Sequence, residues 1–244
     1  MDISEPEEGY TDTDIGYYLE LDNYATSDED NHYISMDYEN ATVTDINGET
    51  RQFVPAEYSI KNDLYSQNQI DFIDKYLNNL FKIVYEACEN GKYYKFDENY
   101  DLVDSDVTTA EEAVSNVMDI DSVRDMYILY EIVHDYDCGE GSFYMCVDLS
   151  KDSKCPKLKF TSPWDFNWAY NDSTEKYYAG AFTDKNFVAK KGDRSNPWFI
   201  VLCKQDWFMD TVKEKWTEMS REKLLQGCIK TCLLYTSPSP RDST

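Results

Sequence analysis

The sequence predicts an α+β fold that is mostly helical and carries a short β-hairpin. Three observations support this. Gly16-Tyr-Tyr-Leu-Glu-Leu-Asp22 alternates apolar and polar residues with a period of two, as a half-buried strand does. Ile70, Ile73, Leu77, Leu80, Val84 and Cys88 recur at three- and four-residue steps, the period of an amphipathic helix. Phe143 to Val147 and Leu158 to Phe160 flank a polar turn containing Lys151 to Cys155, which is the pattern of a hairpin.

The remaining elements follow in chain order. The first ten or so residues are acidic coil. Residues 1–50 hold fifteen acidic side chains and no Lys or Arg. Asp45-Ile-Asn-Gly48 is a turn signal between Thr42–Thr44 and Phe53–Val54, so a first hairpin is expected there. It is not a calcium loop, because the glycine comes too early and the bidentate glutamate position is unfilled. Ser66 is placed to cap the helix that follows, and Asn90-Gly91 to stop it. Thr108 or Thr109, followed by Glu111 and Glu112, marks a second helix start through Ala113, Val114, Val117 and Met118. Asp119 to Asp121 break and recap the chain. A third helix is expected from Asp121 to His134, with Val123, Tyr127, Tyr130 and Val133 on its apolar face. His134 reads as a cap partner at that helix end rather than a base. An acidic loop, Asp135-Tyr-Asp-Cys-Gly139, comes next. After the second hairpin stand Pro163-Trp-Asp-Phe-Asn-Trp168 and a turn-rich stretch reaching Arg194. A last amphipathic helix is expected near Asp206 to Leu225, carrying Phe208, Val212 and Trp216.

Composition excludes several functions. Twenty-three basic against 48 acidic side chains give a net charge of -25, which repels nucleic acid and anionic membrane and attracts cations and basic proteins. No stretch reaches the roughly 20 apolar residues of a membrane span. Seven cysteines, odd in number and scattered without a CxxC pair, stand beside only two histidines. That pattern argues against zinc, and for buried or free thiols ahead of disulfides.

The order helix, acidic loop, hairpin, acidic turn has a mechanistic meaning. In phosphoryl transfer one carboxylate orients or deprotonates the attacking hydroxyl, and a second holds the magnesium that bridges the nucleotide phosphates. A loop closing a helix can present Asp137, and an antiparallel hairpin returns the chain so that the next turn can present Asp165 beside it. The plain alternative is a solvated loop aspartate at 137, with Trp164, Phe166 and Trp168 as core anchors. The letters of ordinary kinases are absent: there is no His-Arg-Asp and no Asp-Phe-Gly, and Ser142 stands five residues after Asp137, where an ordinary kinase has a metal-binding Asn.

Three blocks resemble the spore-coat-H (CotH) family of atypical protein kinases. Gly16-Tyr-Tyr-Leu-Glu-Leu-Asp22 is similar to its "GxYLLE" strand, Ser142-Phe-Tyr-Met-Cys-Val-Asp148 to its "SFYMYKD" strand, and Pro163-Trp-Asp-Phe-Asn167 to its "PxWDFD" signature. Trp198, Asp206, Phe208 and Trp216 are similar to the family's tail pattern, so the resemblance spans about residues 15–225. It implies the C-lobe-like part of an atypical kinase fold over residues 15–232, with the hairpin carrying the metal-binding turn. It also implies transfer of phosphate from ATP, with magnesium or manganese, to Ser or Thr of serine-rich basic proteins. The setting it implies is extracellular or spore-surface. Asp137 takes the base role, while Asp165, with Asn167 and Ser142, takes the metal role. Glu20 and Asp22 fall by position near the nucleotide hinge, although Glu20 could equally alternate outward. Asn167 replaces the second acid of "WDFD", which removes a charge from the metal site. The family's upstream "RGN" segment and phosphate-binding Lys have no counterpart, so a front lobe is expected to be missing and the isolated chain to be inactive. A catalytically degenerate acidic module for basic proteins or cations is the competing expectation. Residues 1–14 are expected to be an acidic disordered start. Residues 233–244 (LLYTSPSPRDST) resemble translated adapter sequence and lie outside the fold argument.

Overall fold

The structure, a computed structural model, describes residues 6–27, 32–36, 41–44, 50–52, 56–133, 135, 137–169, 196–228 and 230. The expectations for residues 45–48, for His134, for the turn-rich stretch from 170 to Arg194 and for the tail at 233–244 lie outside those residues. Along the chain come β1 (Gly16–Leu21), β2 (Tyr33–Met36), β3 (Thr42–Thr44), β4 (Thr50–Gln52) and β5 (Ala56–Ile60). They are followed by α1 (Gln67–Tyr85), β6 (Tyr94–Phe96), β7 (Leu102–Asp104), α2 (Ala110–Val117) and α3 (Ile120–Val133). Last are β8 (Phe143–Asp148), β9 (Lys159–Thr161), α4 (Phe199–Leu202) and α5 (Asp206–Arg221).

The class is α+β, but the sheet is larger than a short hairpin. Five strands join in the order β2-β5-β1-β8-β9, each pair antiparallel. The expected hairpin of β8 and β9 is its outer edge, with Met145 opposite Phe160. β1 is not peripheral: it runs through the middle, paired with β8 from Gly16↔Asp148 to Leu21↔Phe143 and with β5 from Leu19↔Ile60 to Leu21↔Tyr58. Strands β2 and β5 were not anticipated. The alternation Tyr33-Ile34-Ser35-Met36, with Ile34 and Met36 buried, was the available signal, and at four residues it is too short to stand out.

One face of the sheet is apolar because its strands alternate. Tyr17, Leu19, Leu21, Ile34, Tyr58, Phe143, Met145, Val147 and Phe160 are buried, and they share one core with α1, α2, α3 and α4. Burying such side chains is worth about 1.5–3 kcal/mol each. α1 begins as expected: Ser66 accepts from the Gln69 amide and the Gln69 side chain accepts from the Ser66 amide, a reciprocal cap. Its last turn widens into a π-turn over Glu86–Asn90, and Gly91 at φ 62° ends it in the left-handed region. Thr109 rather than Thr108 caps α2, accepting from the Glu112 amide. Between α2 and α3 the backbone is stitched to the strand edge: the Leu158 amide donates to the Val117 carbonyl and the Asp119 amide to the Leu158 carbonyl, both at 2.9 Å. The Phe160 amide donates to Ser122 Oγ at 3.2 Å, so α3 holds β9 in place.

Two further expectations change. The first hairpin exists, but Thr42–Thr44 pairs with Thr50–Gln52 rather than with 53–54, which lie outside the described residues. In α5 only Phe208 is buried and Trp216 is exposed, because the helix leaves the core after its first turns. The β6–β7 hairpin, unmarked by any strong turn dipeptide, closes an aromatic stack on α1: Phe96 lies 5.1 Å from Tyr76, and Tyr100 5.5 Å from Tyr76.

Candidate functional site

The start of β8, just after the acidic loop, and the turn after β9 both pack on Tyr130. Its ring is buried, 5.4 Å from Phe143 at the start of β8 and 5.6 Å from Phe166 in the turn. Its hydroxyl donates to the Ser142 carbonyl at 3.4 Å. Burial pushes the Tyr130 phenol well above its ordinary value, and the nearby charges of Asp135 and Asp137 push the same way. One side chain of α3 therefore touches the start of β8, just after the acidic loop, and the signature turn that carries Asp165.

The loop itself is a 3₁₀ turn over Asp137–Gly139. The buried Asp135 carboxylate accepts from the Asp137 amide at 3.0 Å, and the Asp137 carbonyl accepts from the amides of Glu140 and Gly141 at 2.7 and 3.0 Å. Two buried asparagines clamp the outside of the loop. Asn196 Nδ2 donates to the Cys138 carbonyl at 2.8 Å, and Asn23 Nδ2 to the Gly139 carbonyl at 2.9 Å. The Asn23 amide also donates to the Glu140 carbonyl at 2.9 Å. Neither asparagine was singled out in the sequence. Each acts over more than fifty residues of chain, and no local pattern encodes such a pairing.

Burial raises the Asp135 carboxyl above its ordinary value. The Asp137 amide opposes this, and the negative charge of Asp165 adds to it. Asp165 is thus within electrostatic reach of the acidic loop. Its backbone is left-handed at φ 56° and ψ 59°, a conformation that aspartate tolerates better than most residues. It opens the 3₁₀ turn Phe166–Trp168 without using its side chain as a cap, and it is exposed. Asn167 is exposed in the same turn. Ser142 is half-buried and also left-handed at φ 55°, and its carbonyl accepts from the Tyr130 hydroxyl.

Glu20 and Asp22 lie on the sheet face away from the core, and each has protein partners. Glu20 pairs with Lys61 at 2.7 Å and hydrogen-bonds the Tyr144 side chain, its cross-strand neighbour. Asp22 accepts from Ser59 Oγ at 2.8 Å and from the Tyr24 amide at 2.9 Å. Burial, then the Glu20 charge, drives the Tyr144 phenol up. Of the three aromatics in the signature turn, Phe166 is a core anchor as expected. Trp164 is not: 64% of it is exposed.

Among the described residues no three carboxylate, imidazole or thiol side chains converge into a ready-made chelate. The predicted metal set is different in kind: one carboxylate, Asp165, with the neutral oxygens of Asn167 and Ser142. All three are hard oxygen donors of the kind magnesium takes, and such sites complete their shell with water and phosphate oxygens. The like-charge interaction of Asp135 with Asp165 is also one that a cation would relieve. On donor chemistry the residues fit the ion.

Among the described residues no helix is long and apolar enough to cross a membrane. The six described cysteines form no disulfide with one another. No family model, no curated protein and no solved structure matches this chain.

Proposed function

We propose that this chain carries the base and metal half of a phosphotransfer site, moving the terminal phosphoryl of ATP to a Ser or Thr hydroxyl of a basic protein in the manner of the CotH-like kinases. The observation that supports the reading is that Tyr130 packs against both the strand start just after the acidic loop and the signature turn, with the Asp165 charge felt at Asp135. In this reading Asp137 orients the substrate hydroxyl and takes its proton, while Asp165, Asn167 and Ser142 hold magnesium or manganese. The ion, when bound, neutralises charge on the phosphates. In this reading the nucleotide would be recognised on the sheet face that carries Glu20 and Asp22. The Asn196 and Asn23 clamps keep the loop from giving way when the hydroxyl is engaged.

A second reading is an acidic module that binds basic proteins or cations without chemistry. Asn167, standing where the resembled signature has an acid, supports it, as does the use of Asp135 to hold loop backbone.

Thermal unfolding with and without ATP and magnesium separates the two. A rise in midpoint that needs both ligands, vanishes in Asp165→Ala and survives in Asp165→Glu supports phosphotransfer. A rise with magnesium or a basic peptide alone, indifferent to ATP, supports the binding module. Phosphate incorporation into a serine-rich basic protein by a form that also carries a phosphate-binding lysine and glycine segment, lost in Asp137→Asn with nucleotide binding intact, would complete the assignment.

A further inference from the structure

The turn from Ser162 to Asp165 puts an indole into water at a conformational cost. All four of its residues, Ser162, Pro163, Trp164 and Asp165, are exposed. Its two ends are left-handed without being glycine, Ser162 at φ 49° and Asp165 at φ 56°. Left-handed backbone costs roughly 1–2 kcal/mol for a residue such as Ser162, and less for Asp165, whose side chain tolerates it. What the two bends achieve is opposite placement of two aromatics: Phe166 goes in against Tyr130, and Trp164 goes out. Trp164 is the most exposed large apolar side chain among the described residues.

Its surroundings select the ligand. Asp165 is adjacent, its charge reaches Asp135, and the chain as a whole carries -25. An electron-rich ring face in a negative field binds cations, and guanidinium best of all, because it is planar, weakly hydrated and stacks on indole. We propose that Trp164 is a specificity residue that takes an arginine side chain of the protein segment presented to the site, with the adjacent Asp165 and the chain's net negative charge supplying the field and the indole supplying the contact. The inference rests on the proposed phosphotransfer site for calling that segment a substrate. The contact itself requires neither nucleotide nor metal.

The test is therefore a binding measurement without ATP or magnesium. Fluorescence anisotropy of a labelled peptide alternating serine and arginine is followed against the same peptide with every arginine replaced by glutamine. The arginine peptide is expected to bind about tenfold more tightly, and to weaken as salt is raised. Trp164→Ala is expected to lose roughly fivefold in affinity for the arginine peptide and nothing for the glutamine peptide, whereas Trp164→Phe loses only about twofold. Because the indole is exposed, the thermal midpoints of both variants should match that of the parent. Equal binding of the two peptides, or a Trp164→Ala variant that binds as the parent does, overturns the proposal. Should peptide binding behave as expected while magnesium and ATP leave the parent's midpoint unmoved, the phosphotransfer reading fails and the arginine contact stands. The reverse pattern removes the arginine contact alone.

Discussion

Asn196 Nδ2 donates to the Cys138 carbonyl at 2.8 Å, joining the segment just before α4 to the acidic loop 58 residues earlier. The same side chain works in both directions, since its Oδ1 accepts from the amides of Trp198 and Phe199 at 3.1 and 3.3 Å. Asn196 is wholly buried, so water cannot replace any of these partners. Asn196→Ala is expected to cost about 2–4 kcal/mol in urea unfolding. Asn196→Asp keeps the acceptor but loses the donor to Cys138, and should separate the two halves of the contact. Its hydrogen exchange should rise in residues 137–141 while the start of α4 stays protected.

Trp198 and Tyr58 form a second buried pair, with the indole Nε1 donating to the Tyr58 hydroxyl at 3.0 Å. Burial pushes the Tyr58 phenol far above its ordinary value, so it stays neutral at any working pH. Trp198→Phe leaves that hydroxyl without this donor and opens a cavity beside Phe81, whose ring stands edge-on to the indole at 5.1 Å. The expected loss is about 2–4 kcal/mol. Adding Tyr58→Phe should recover about 1 kcal/mol of it, because removing both partners is cheaper than orphaning one. A double-mutant cycle by denaturant titration reads the difference directly.

Glu131 on α3 gives the protein a pH dependence. Burial pushes its carboxyl up to about 7, with the Tyr127 hydroxyl opposing the shift by hydrogen bonding. A carboxyl that is harder to ionise in the folded chain than in the unfolded one favours folding most when protonated. Its contribution is fully present below the unfolded value near 4.5 and is lost as pH rises through about 7. Glu131→Gln keeps a group that can bond Tyr127 and removes the titration. The variant is expected to match the parent near pH 4 and to exceed it by on the order of 2 kcal/mol at pH 8, measured by urea unfolding across that range.

Tyr130 should be tolerant of one change and intolerant of another. Tyr130→Phe gives up only a long 3.4 Å hydrogen bond to Ser142 and keeps both ring contacts, so its cost should stay within about 1 kcal/mol. Tyr130→Ala removes the ring on which Phe143 and Phe166 rest and should cost about 3–5 kcal/mol. It should also uncouple Asp135 from Asp165, which carbon-13 titration of the Asp135 carboxyl would register as a lowered midpoint.

The sequence by itself determined the local elements. Ser66 and Thr109 are caps because their hydroxyls meet free amides in the first turn. The spacing from Ile70 to Cys88 makes a helix because it aligns one apolar stripe. Gly16 to Leu21 and Phe143 to Asp148 are strands because alternate residues seek opposite faces. It also singled out the acidic loop and the signature turn, the two segments proposed here to carry the site. Only the tertiary structure decided that β1 lies between β5 and β8, that Asn196 and Asn23 clamp the acidic loop, and that Phe166 turns inward while Trp164 faces water. The physical reason is range. Caps and periodicities are settled by atoms a few residues apart, whereas strand order and buried amide clamps join residues 58 and 116 positions apart and take shape only as the whole core closes.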